Sequence, residues 1–245
     1  EQKAVLLGNA AAHHAQASAL LSLAQWIAEN TGATVGYLTE AANTVGAQWM
    51  GAMPAKDGKN AGQMLAGGMK AVLLLNTEPQ WDSALGAAAA QTLAQSEMVI
   101  TLSPFKANME FSDVLLPIAP FTETSGSFVN AEGLLQSFHA VVKPLAEARP
   151  GWKVLRVLGN LLDIAGFEFQ TSQDVLARAT NTLAGEVISV PVALLNNTAA
   201  AVSSNIVAVQ VPDPVVASIY QLDGIVRRAN SLQLTADARL AREGA

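Results

Sequence analysis

The residue types best suited to chemistry are concentrated in one segment, residues 113–136, which we call the polar loop. Its carboxylate, amide and glycine positions are Glu123, Gly126, Asn130, Glu132 and Gly133. Carboxylate and amide oxygens can bind a ligand, or they can accept hydrogen bonds from loop N–H groups that have no strand partner. We predict the second, architectural role for Glu123, Asn130 and Glu132. Gly126 and Gly133 are predicted to form turns that a Cβ would strain.

Other reactive residue types are isolated in the sequence. A dinucleotide-binding turn after the first strand requires the pattern G-x-G-x-x-G, and only Gly8 is present. Glu40 follows the second strand, where an acid would bind a ribose, but an ordinary turn is the favoured interpretation. His13 and His14 are adjacent on a helix and point about 100° apart, so we interpret them as polar residues near a helix N-terminus rather than metal ligands.

Asp113 is the remaining carboxylate that could take part in acid–base chemistry. It forms a pair with Glu123 only if the fold brings the two side chains together. Because both residues flank or lie within a loop, capping and loop hydrogen bonds are the favoured interpretation for each.

The composition excludes several classes of site and function. The chain has 245 residues and no cysteine, which excludes disulfides, thiolate zinc sites, cysteine nucleophiles and cysteine-ligated iron–sulfur clusters within it. With 14 Lys and Arg against 20 Asp and Glu, it lacks the positive charge of a nucleic-acid-binding protein. Its hydrophobic content of 51% predicts a sizeable core and an apolar surface covered by a partner. Its longest apolar runs are shorter than the roughly 20 residues needed to span a membrane.

Strand and helix patterns alternate through the first half of the chain. Apolar runs without polar alternation predict buried strands near residues 5, 35, 72 and 100. Helical periodicity predicts intervening helices over residues 15–30, 61–68 and 84–95. This alternation predicts an α/β fold, a Rossmann-like doubly wound parallel sheet that contains all four strands, with the polar loop at its carboxyl edge.

Residues that favour turns predict where these elements begin and end. Gly32 is predicted to end the first helix, and Asp82 or Ser83 to cap the third. Residues 39–59 contain several glycines and are predicted to be a loop.

The second half of the chain has a different character, which predicts two domains. Residues 1–145 are predicted to form the Rossmann-like domain, and residues 146–245 a smaller C-terminal α+β extension that packs on it. The extension is predicted to contain helices over residues 152–162 and 172–183, the second capped by Ser172, and strands over residues 187–195 and 206–211. The charged run 237–243 is predicted to be a mobile or partner-docked end.

Motifs in the polar loop resemble those of the molybdopterin oxidoreductase superfamily. The order D-V-L-L-P and then E-T-S-G-S-F-V-N-A-E-G, within residues 113–133, is similar to its signature. Within the superfamily the motifs resemble in particular the family of large peripheral-arm subunits of bacterial NADH–quinone oxidoreductase, the respiratory complex I. Supporting motifs are Asn43 with Gly46, Glu78-Pro79 with Asp82, and the segments 148–159 and 220–233.

This resemblance implies partners, cofactors and a location. The chain would be the C-terminal portion of a longer subunit whose N-terminal part carries iron–sulfur clusters and which takes part in electron transfer from NADH to quinone. Its partners would be that N-terminal part and other peripheral-arm subunits of complex I. The complex would lie on the cytoplasmic face of the bacterial plasma membrane.

One departure from the superfamily pattern bears on function. The superfamily usually has an arginine after Glu132-Gly133, and here Leu134 occupies that position. The missing cation weakens the case for a phosphate-bearing cofactor. We therefore expect a redox-inactive structural and assembly domain in which the polar loop is a vestigial cleft, with no catalytic residue, metal or cofactor in this chain. The alternative is a molybdopterin- or nucleotide-binding catalytic domain.

Overall fold

Helices and small parallel sheets alternate along the chain, which gives a mixed α/β structure. The computed structural model describes residues 2–54, 56–181 and 218–243, so the strands predicted over residues 187–195 and 206–211 lie outside the described residues. The described residues divide into two compact units. The first comprises residues 2–49, 129–134 and 218–243, and the second comprises residues 50–128 and 135–181. The predicted domain boundary near residue 145 falls within the second unit.

The first unit begins with a β-α-β segment. Its elements are β1 (Ala4–Leu7), α1 (Asn9–Ala12), α2 (Ala17–Thr31), β2 (Thr34–Tyr37) and α3 (Thr44–Trp49). Strands β1 and β2 are parallel, with Val5 opposite Val35. Gly32 ends α2 in the left-handed conformation with φ of +70°, as predicted, because a residue without a Cβ adopts this conformation without strain.

Helix α3 corrects the prediction of a loop over residues 39–59. The glycines of this segment were interpreted as turn residues, but Gly46 lies inside the helix and is buried. Helix propensity is a weak signal that tertiary contacts override, and a contact described below explains why a glycine is needed here.

The C-terminal part of the first unit is helical. It contains α9 (Ile219–Leu222), a 3-10 turn (Val226–Arg228), α10 (Asn230–Gln233) and α11 (Ala236–Glu243). The charged run predicted to be a mobile or docked end therefore forms most of α11. Ala238 in this helix is fully buried, so the helix packs on its own unit.

The second unit contains a three-stranded parallel sheet. Its strands are β3 (Ala71–Leu75), β4 (Met98–Ser103) and β5 (Val114–Pro117), in the order β3-β4-β5. Three helices precede or connect them: α4 (Ala61–Leu65), α5 (Pro79–Asp82) and α6 (Ala87–Leu93). Leu74, Leu93 and Val99 form the core of this unit, with Leu93 at 2% and Val99 at 1% exposure.

The prediction of one four-stranded sheet is only partly correct. The strands near residues 5, 35, 72 and 100 are present, and every named pair among them is parallel. Within the described residues, however, they belong to a two-stranded and a three-stranded sheet. The strands near residues 5 and 72 are also less buried than predicted, since Leu6 is 58% and Leu73 is 40% exposed. An apolar run indicates a strand, but it does not indicate which strand lies beside it, since parallel neighbours are distant in sequence.

The remaining elements lie in the polar loop and in the segment that follows it. A 3-10 turn (Phe121–Glu123) precedes strands β6 (Gly126–Val129) and β7 (Leu135–Phe138), which pair as a two-stranded sheet. Helices α7 (Gly151–Leu161) and α8 (Ser172–Thr180) follow. Among the described residues, no helix is both long and apolar enough to cross a membrane.

Two predicted helix caps differ from those observed. Helix α6 begins after Gly86 without a side-chain cap, and Asp82 instead accepts a hydrogen bond from the Glu78 amide at 2.7 Å. Helix α8 is capped by Thr171 rather than Ser172. Thr171 Oγ1 accepts from the Asp174 amide at 3.1 Å, and Asp174 Oδ2 accepts from the Thr171 amide at 2.8 Å, which forms a capping box.

Candidate functional site

Asn130 closes the tip of the β6–β7 hairpin in the polar loop. Its Oδ1 accepts hydrogen bonds from the amides of Glu132 at 3.0 Å and Leu134 at 2.9 Å. Gly133 follows in the left-handed region with φ of +82°, which a side chain would strain. The architectural roles predicted for Asn130 and Gly133 therefore match the geometry.

Asn43 ties the end of β6 to the start of α3. Its Oδ1 accepts a hydrogen bond from the amide of Val129 at 2.9 Å, and Val129 is buried at 4% exposure. A Cβ on Gly46 would collide with the same Oδ1 atom, so this helical position requires glycine. The sequence associated Asn43 and Gly46 only by resemblance, and no local pattern connects either of them with Val129.

Glu123 supports the base of the polar loop in the second unit. Its Oε2 accepts a hydrogen bond from the amide of Leu145 at 3.1 Å. Beside it, Ser125 Oγ accepts from the amide of Ala140 at 3.2 Å. These side chains hold the segment after β7 against the 3-10 turn, which is the kind of role predicted for Glu123.

Gly126 has a role that differs from the predicted turn. It lies in strand β6, where a Cβ would come within 2.7 Å of the Phe138 ring. Phe138 also packs edge-to-face against Phe128, with ring centroids 5.2 Å apart. Gly126 is therefore needed so that the Phe138 ring can pack closely against the strand. This contact depends on the tertiary fold, and the local sequence around Gly126 does not predict it.

Glu132 does not bind a backbone amide as expected. Its side chain is exposed, and no hydrogen bond joins its carboxylate to the described residues. Asn130 supplies the acceptor instead, because its shorter side chain reaches amides two and four residues ahead. Both residues offer acceptor oxygens, and their side-chain length and their position on the turn distinguish them.

Asp113 and Glu123 accept separate backbone hydrogen bonds and show no contact with each other. Asp113 Oδ2 accepts from the amide of Val99 at 2.7 Å, which ties the start of β5 to β4. Glu123 accepts from Leu145, as described above. The interpretation of both as backbone acceptors, rather than as an acid–base pair, agrees with these contacts.

His13 and Glu40 form an ion pair at the carboxyl ends of β1 and β2. His13 Nε2 lies 2.7 Å from Glu40 Oε2, and both side chains are partly exposed. No local sequence pattern connects the two residues. Their positions after two parallel strands could have predicted the contact, because the carboxyl ends of neighbouring parallel strands lie at the same edge of a sheet. In β2, burial raises the pKa of Tyr37 above its ordinary value.

The described residues offer few groups that would hold a metal or a phosphate at this edge. No cluster of three or more His, Asp or Glu side chains with metal-binding geometry occurs among them. The oxygens of Asn43 and Asn130 accept backbone hydrogen bonds, and His13 is paired with Glu40. Leu134, where the superfamily usually has arginine, is 48% exposed and offers no hydrogen bond from its side chain. A phosphate-bearing group binds through hydrogen-bond donors and cations, and the Leu134 side chain supplies neither.

Comparison with known proteins gives a family match over most of the chain. The family described as molybdopterin oxidoreductase matches residues 1–161. A putative formate dehydrogenase of Staphylococcus aureus is 36% identical over 80 residues, which cover 31% of this chain and 8% of that protein. The probable oxidoreductase YjgC of Bacillus subtilis is 36% identical over 70 residues, which cover 29% and 7% of the two chains.

A third relative is named as a subunit of a mitochondrial oxidoreductase. The mitochondrial NADH-ubiquinone oxidoreductase 78 kDa subunit of Candida albicans is 43% identical over 53 residues, which cover 22% of this chain and 7% of that protein. The matched regions thus span less than a tenth of each of these three relatives.

Proposed function

Because the chain belongs to the molybdopterin oxidoreductase family, we propose that it is a redox-inactive structural and assembly domain built on that family's fold. In the intact protein it would form the C-terminal part of the large peripheral-arm subunit of a bacterial NADH–quinone oxidoreductase, complex I. The similarity to the Candida albicans 78 kDa subunit and the motifs of the polar loop support this assignment.

The observation that carries the proposal is that side-chain oxygens in the polar loop and at the start of α3 bind the protein's own backbone. Asn43, Glu123 and Asn130 each accept hydrogen bonds from backbone amides, in place of presenting acceptors to a ligand. A typical hydrogen bond contributes about 0.5–1.5 kcal/mol, and a buried amide that loses its acceptor, such as that of Val129, costs about 1–3 kcal/mol. These side chains are therefore expected to contribute to stability. Their loss would reduce the amount of assembled complex more than the activity of each assembled complex.

The residues present do not fit the pterin cofactor that the family name implies. The turn after β1 has a single glycine, and the position after Gly133 is Leu134 rather than a cation. We derive no reaction step through that group. Under the proposal, electron carriers such as iron–sulfur clusters belong to other parts of the intact subunit.

The wider setting follows from the same assignment. The partners would be the remainder of the subunit and other peripheral-arm subunits of complex I, which would cover the exposed apolar side chains. The complex would lie at the cytoplasmic face of a bacterial plasma membrane. The two small parallel sheets would correspond to the Rossmann-like architecture predicted from the strand and helix alternation.

An Asn130→Ala substitution in the full-length subunit tests the proposal. We expect less assembled complex on native gels but nearly unchanged NADH:quinone activity per assembled complex. Glu132→Ala, which removes an exposed carboxylate two positions away, is the matched control and should leave both quantities unchanged. Normal assembly together with abolished turnover in the Asn130→Ala complex would contradict a structural role.

A catalytic molybdopterin domain is the second candidate, because two of the relatives are named as a putative formate dehydrogenase and a probable oxidoreductase. It predicts stoichiometric molybdenum and an oxidised pterin fluorophore in the purified full-length protein, and formate-dependent reduction of a dye. We expect neither. Detection of molybdenum and pterin at one equivalent per chain would replace the structural proposal with this one.

A further inference from the structure

An open cleft of about 560 Å³ lies in the second unit, between the loop before α7 and the start of α8. Its walls come from residues 123–125, from the segment 140–153 and from residues 170–173. The hydrogen bond from the Ala119 amide to the Arg149 carbonyl, at 2.8 Å, holds one wall to the end of the segment that follows β5. The cleft is thus formed by backbone that is fixed to the unit.

The charged side chains of this cleft are mostly positive. Lys143, Arg149 and Lys153 line it, and Glu123 is the one acidic residue among its lining residues. This excess contrasts with the whole chain, whose net charge is -6. Among the lining residues, three positive charges against one negative charge leave a surplus that favours a bound anion. Two carboxylates lie just beside the lining: Glu147 is 3.8 Å from Arg149, and Asp174 accepts from the Gln170 and Thr171 amides.

The three cations are available to a ligand. Among the described residues, neither Lys143 nor Lys153 forms an ion pair with a carboxylate. Arg149 Nη1 donates to the carbonyls of Ala148 at 2.9 Å and Ala146 at 3.3 Å, which orients its guanidinium. Its contact with Glu147 is long, at 3.8 Å, and exposed, so it competes weakly.

The backbone at the start of α7 adds to this positive character. Pro150 is the N-cap of this 11-residue helix and makes no side-chain cap, and Pro150, Trp152 and Lys153 all line the cleft. The N-terminus of a helix carries about half a positive charge and favours anions. Trp152 adds an aromatic face, and Lys153 Nζ lies 5.4 Å from its ring centroid.

We propose that this cleft binds the phosphate group of a small molecule. A phosphate monoester carries about -1.5 to -2 charge near pH 7, which matches the local charge surplus better than a single carboxylate does. The oriented Arg149 guanidinium is suited to phosphate oxygens, and the two lysines supply point charges on either side. This binding role goes beyond the structural role proposed for the polar loop, since the tip of that loop does not line the cleft.

Calorimetric titration of the purified full-length protein tests the proposal. The probes are adenosine 5′-monophosphate, inorganic phosphate and, as the uncharged control, adenosine, all at constant ionic strength. We expect saturable binding of both phosphate compounds and none of adenosine. Equal affinities would show that inorganic phosphate suffices, and tighter binding of the nucleotide would show that the organic part also contacts the cleft.

A charge-matched pair of variants tests the location. Lys143→Gln with Lys153→Gln should weaken phosphate binding at least tenfold. The control is Lys70→Gln with Lys106→Gln, which removes the same amount of charge at exposed lysines outside the cleft. This control should change the phosphate affinity less than twofold. Melting temperatures show whether the variants fold. If the double variant Lys143→Gln with Lys153→Gln does not fold, Lys143→Gln alone takes its place, with an expected loss of phosphate affinity of at least threefold.

Three results would overturn the proposal. They are the absence of saturable phosphate binding, equal weakening in both double variants, and binding of a hexaglutamate peptide without binding of either phosphate compound. The last would assign the cleft to an acidic polypeptide. Because assembly and turnover are not measured here, failure of this proposal is distinguishable from failure of the structural role.

Discussion

Asn43 and Val129 lie 86 positions apart in the sequence, and the side-chain oxygen of Asn43 accepts a hydrogen bond from the amide of Val129 at 2.9 Å. This bond joins the residue that precedes helix α3 to the last residue of strand β6. The end of the strand is buried, so water is a poor substitute for the asparagine oxygen.

Replacing Asn43 with alanine should expose the Val129 amide to exchange and destabilise the polar loop. An unpaired buried amide costs about 1–3 kcal/mol, so hydrogen–deuterium exchange of the peptide containing Val129 should accelerate roughly 5- to 150-fold. Asn43→Asp keeps an acceptor and should remain close to the native rate at neutral pH. Asn160→Ala, at an exposed position in α7, is the control. If exchange of the Val129 peptide accelerated as much in this variant, the effect would not be specific to Asn43.

Replacing Gly46 with alanine should reproduce the effect of losing Asn43. The new Cβ would collide with Asn43 Oδ1, and the asparagine side chain can move away only by giving up Val129. The double variant Asn43→Ala with Gly46→Ala should therefore be less destabilised than the sum of the single variants, by about 0.5–3 kcal/mol. Chemical denaturation measures this coupling. Gly62→Ala, where a Cβ meets only an ordinary contact in helix α4, is the matched control, and strict additivity would contradict the collision.

Asn130 and Glu132 should differ sharply although they are neighbours on the same turn. Asn130→Ala removes the acceptor of two amides and should lower the free energy of unfolding by about 1–3 kcal/mol. Glu132→Ala removes an exposed carboxylate and should change it by less than about 0.5 kcal/mol. Melting temperatures of the two variants give the comparison. A larger loss for Glu132→Ala would restore the acceptor role that the sequence suggested.

The capping box of helix α8 should make its stability depend on acid pH. Backbone hydrogen bonds from Thr171 and Gln170 lower the pKa of Asp174 below its ordinary value of 3.8. A lowered folded-state pKa means that the carboxylate contributes stability above that ordinary value and loses the contribution as the pH falls through the folded pKa. The melting-temperature gap between the native protein and Asp174→Asn should be constant from pH 7 to 5 and should shrink below pH 4. Glu168→Gln controls for the change of charge, and a gap that widens in acid would contradict this sign.

The elements of this protein were largely readable from its sequence. Unalternated apolar runs located β1 to β4, because apolar and β-branched residues favour strands. The burial on both faces that these runs also predicted is incomplete, since Leu6 in β1 is 58% exposed and Leu73 in β3 is 40% exposed. Gly32 marked the end of α2 because the left-handed conformation that commonly ends a helix favours glycine. The residue types of the polar loop likewise identified Glu123 and Asn130 as backbone acceptors, and the loop motifs indicated the family.

Only the tertiary structure decided which partner each of these groups takes. The sequence could not pair Asn43 with Val129 or His13 with Glu40, because hydrogen bonds and ion pairs depend on distances that the folded chain sets. It assigned the acceptor role to both Asn130 and Glu132, because both side chains carry acceptor oxygens, and in the folded chain Asn130 takes this role. Gly126 and Gly46 signalled flexible turns locally, whereas in the folded chain each makes room for a side chain brought close by the fold, Phe138 and Asn43. Residue type determines which interactions a side chain can form, and tertiary packing determines which partner it has.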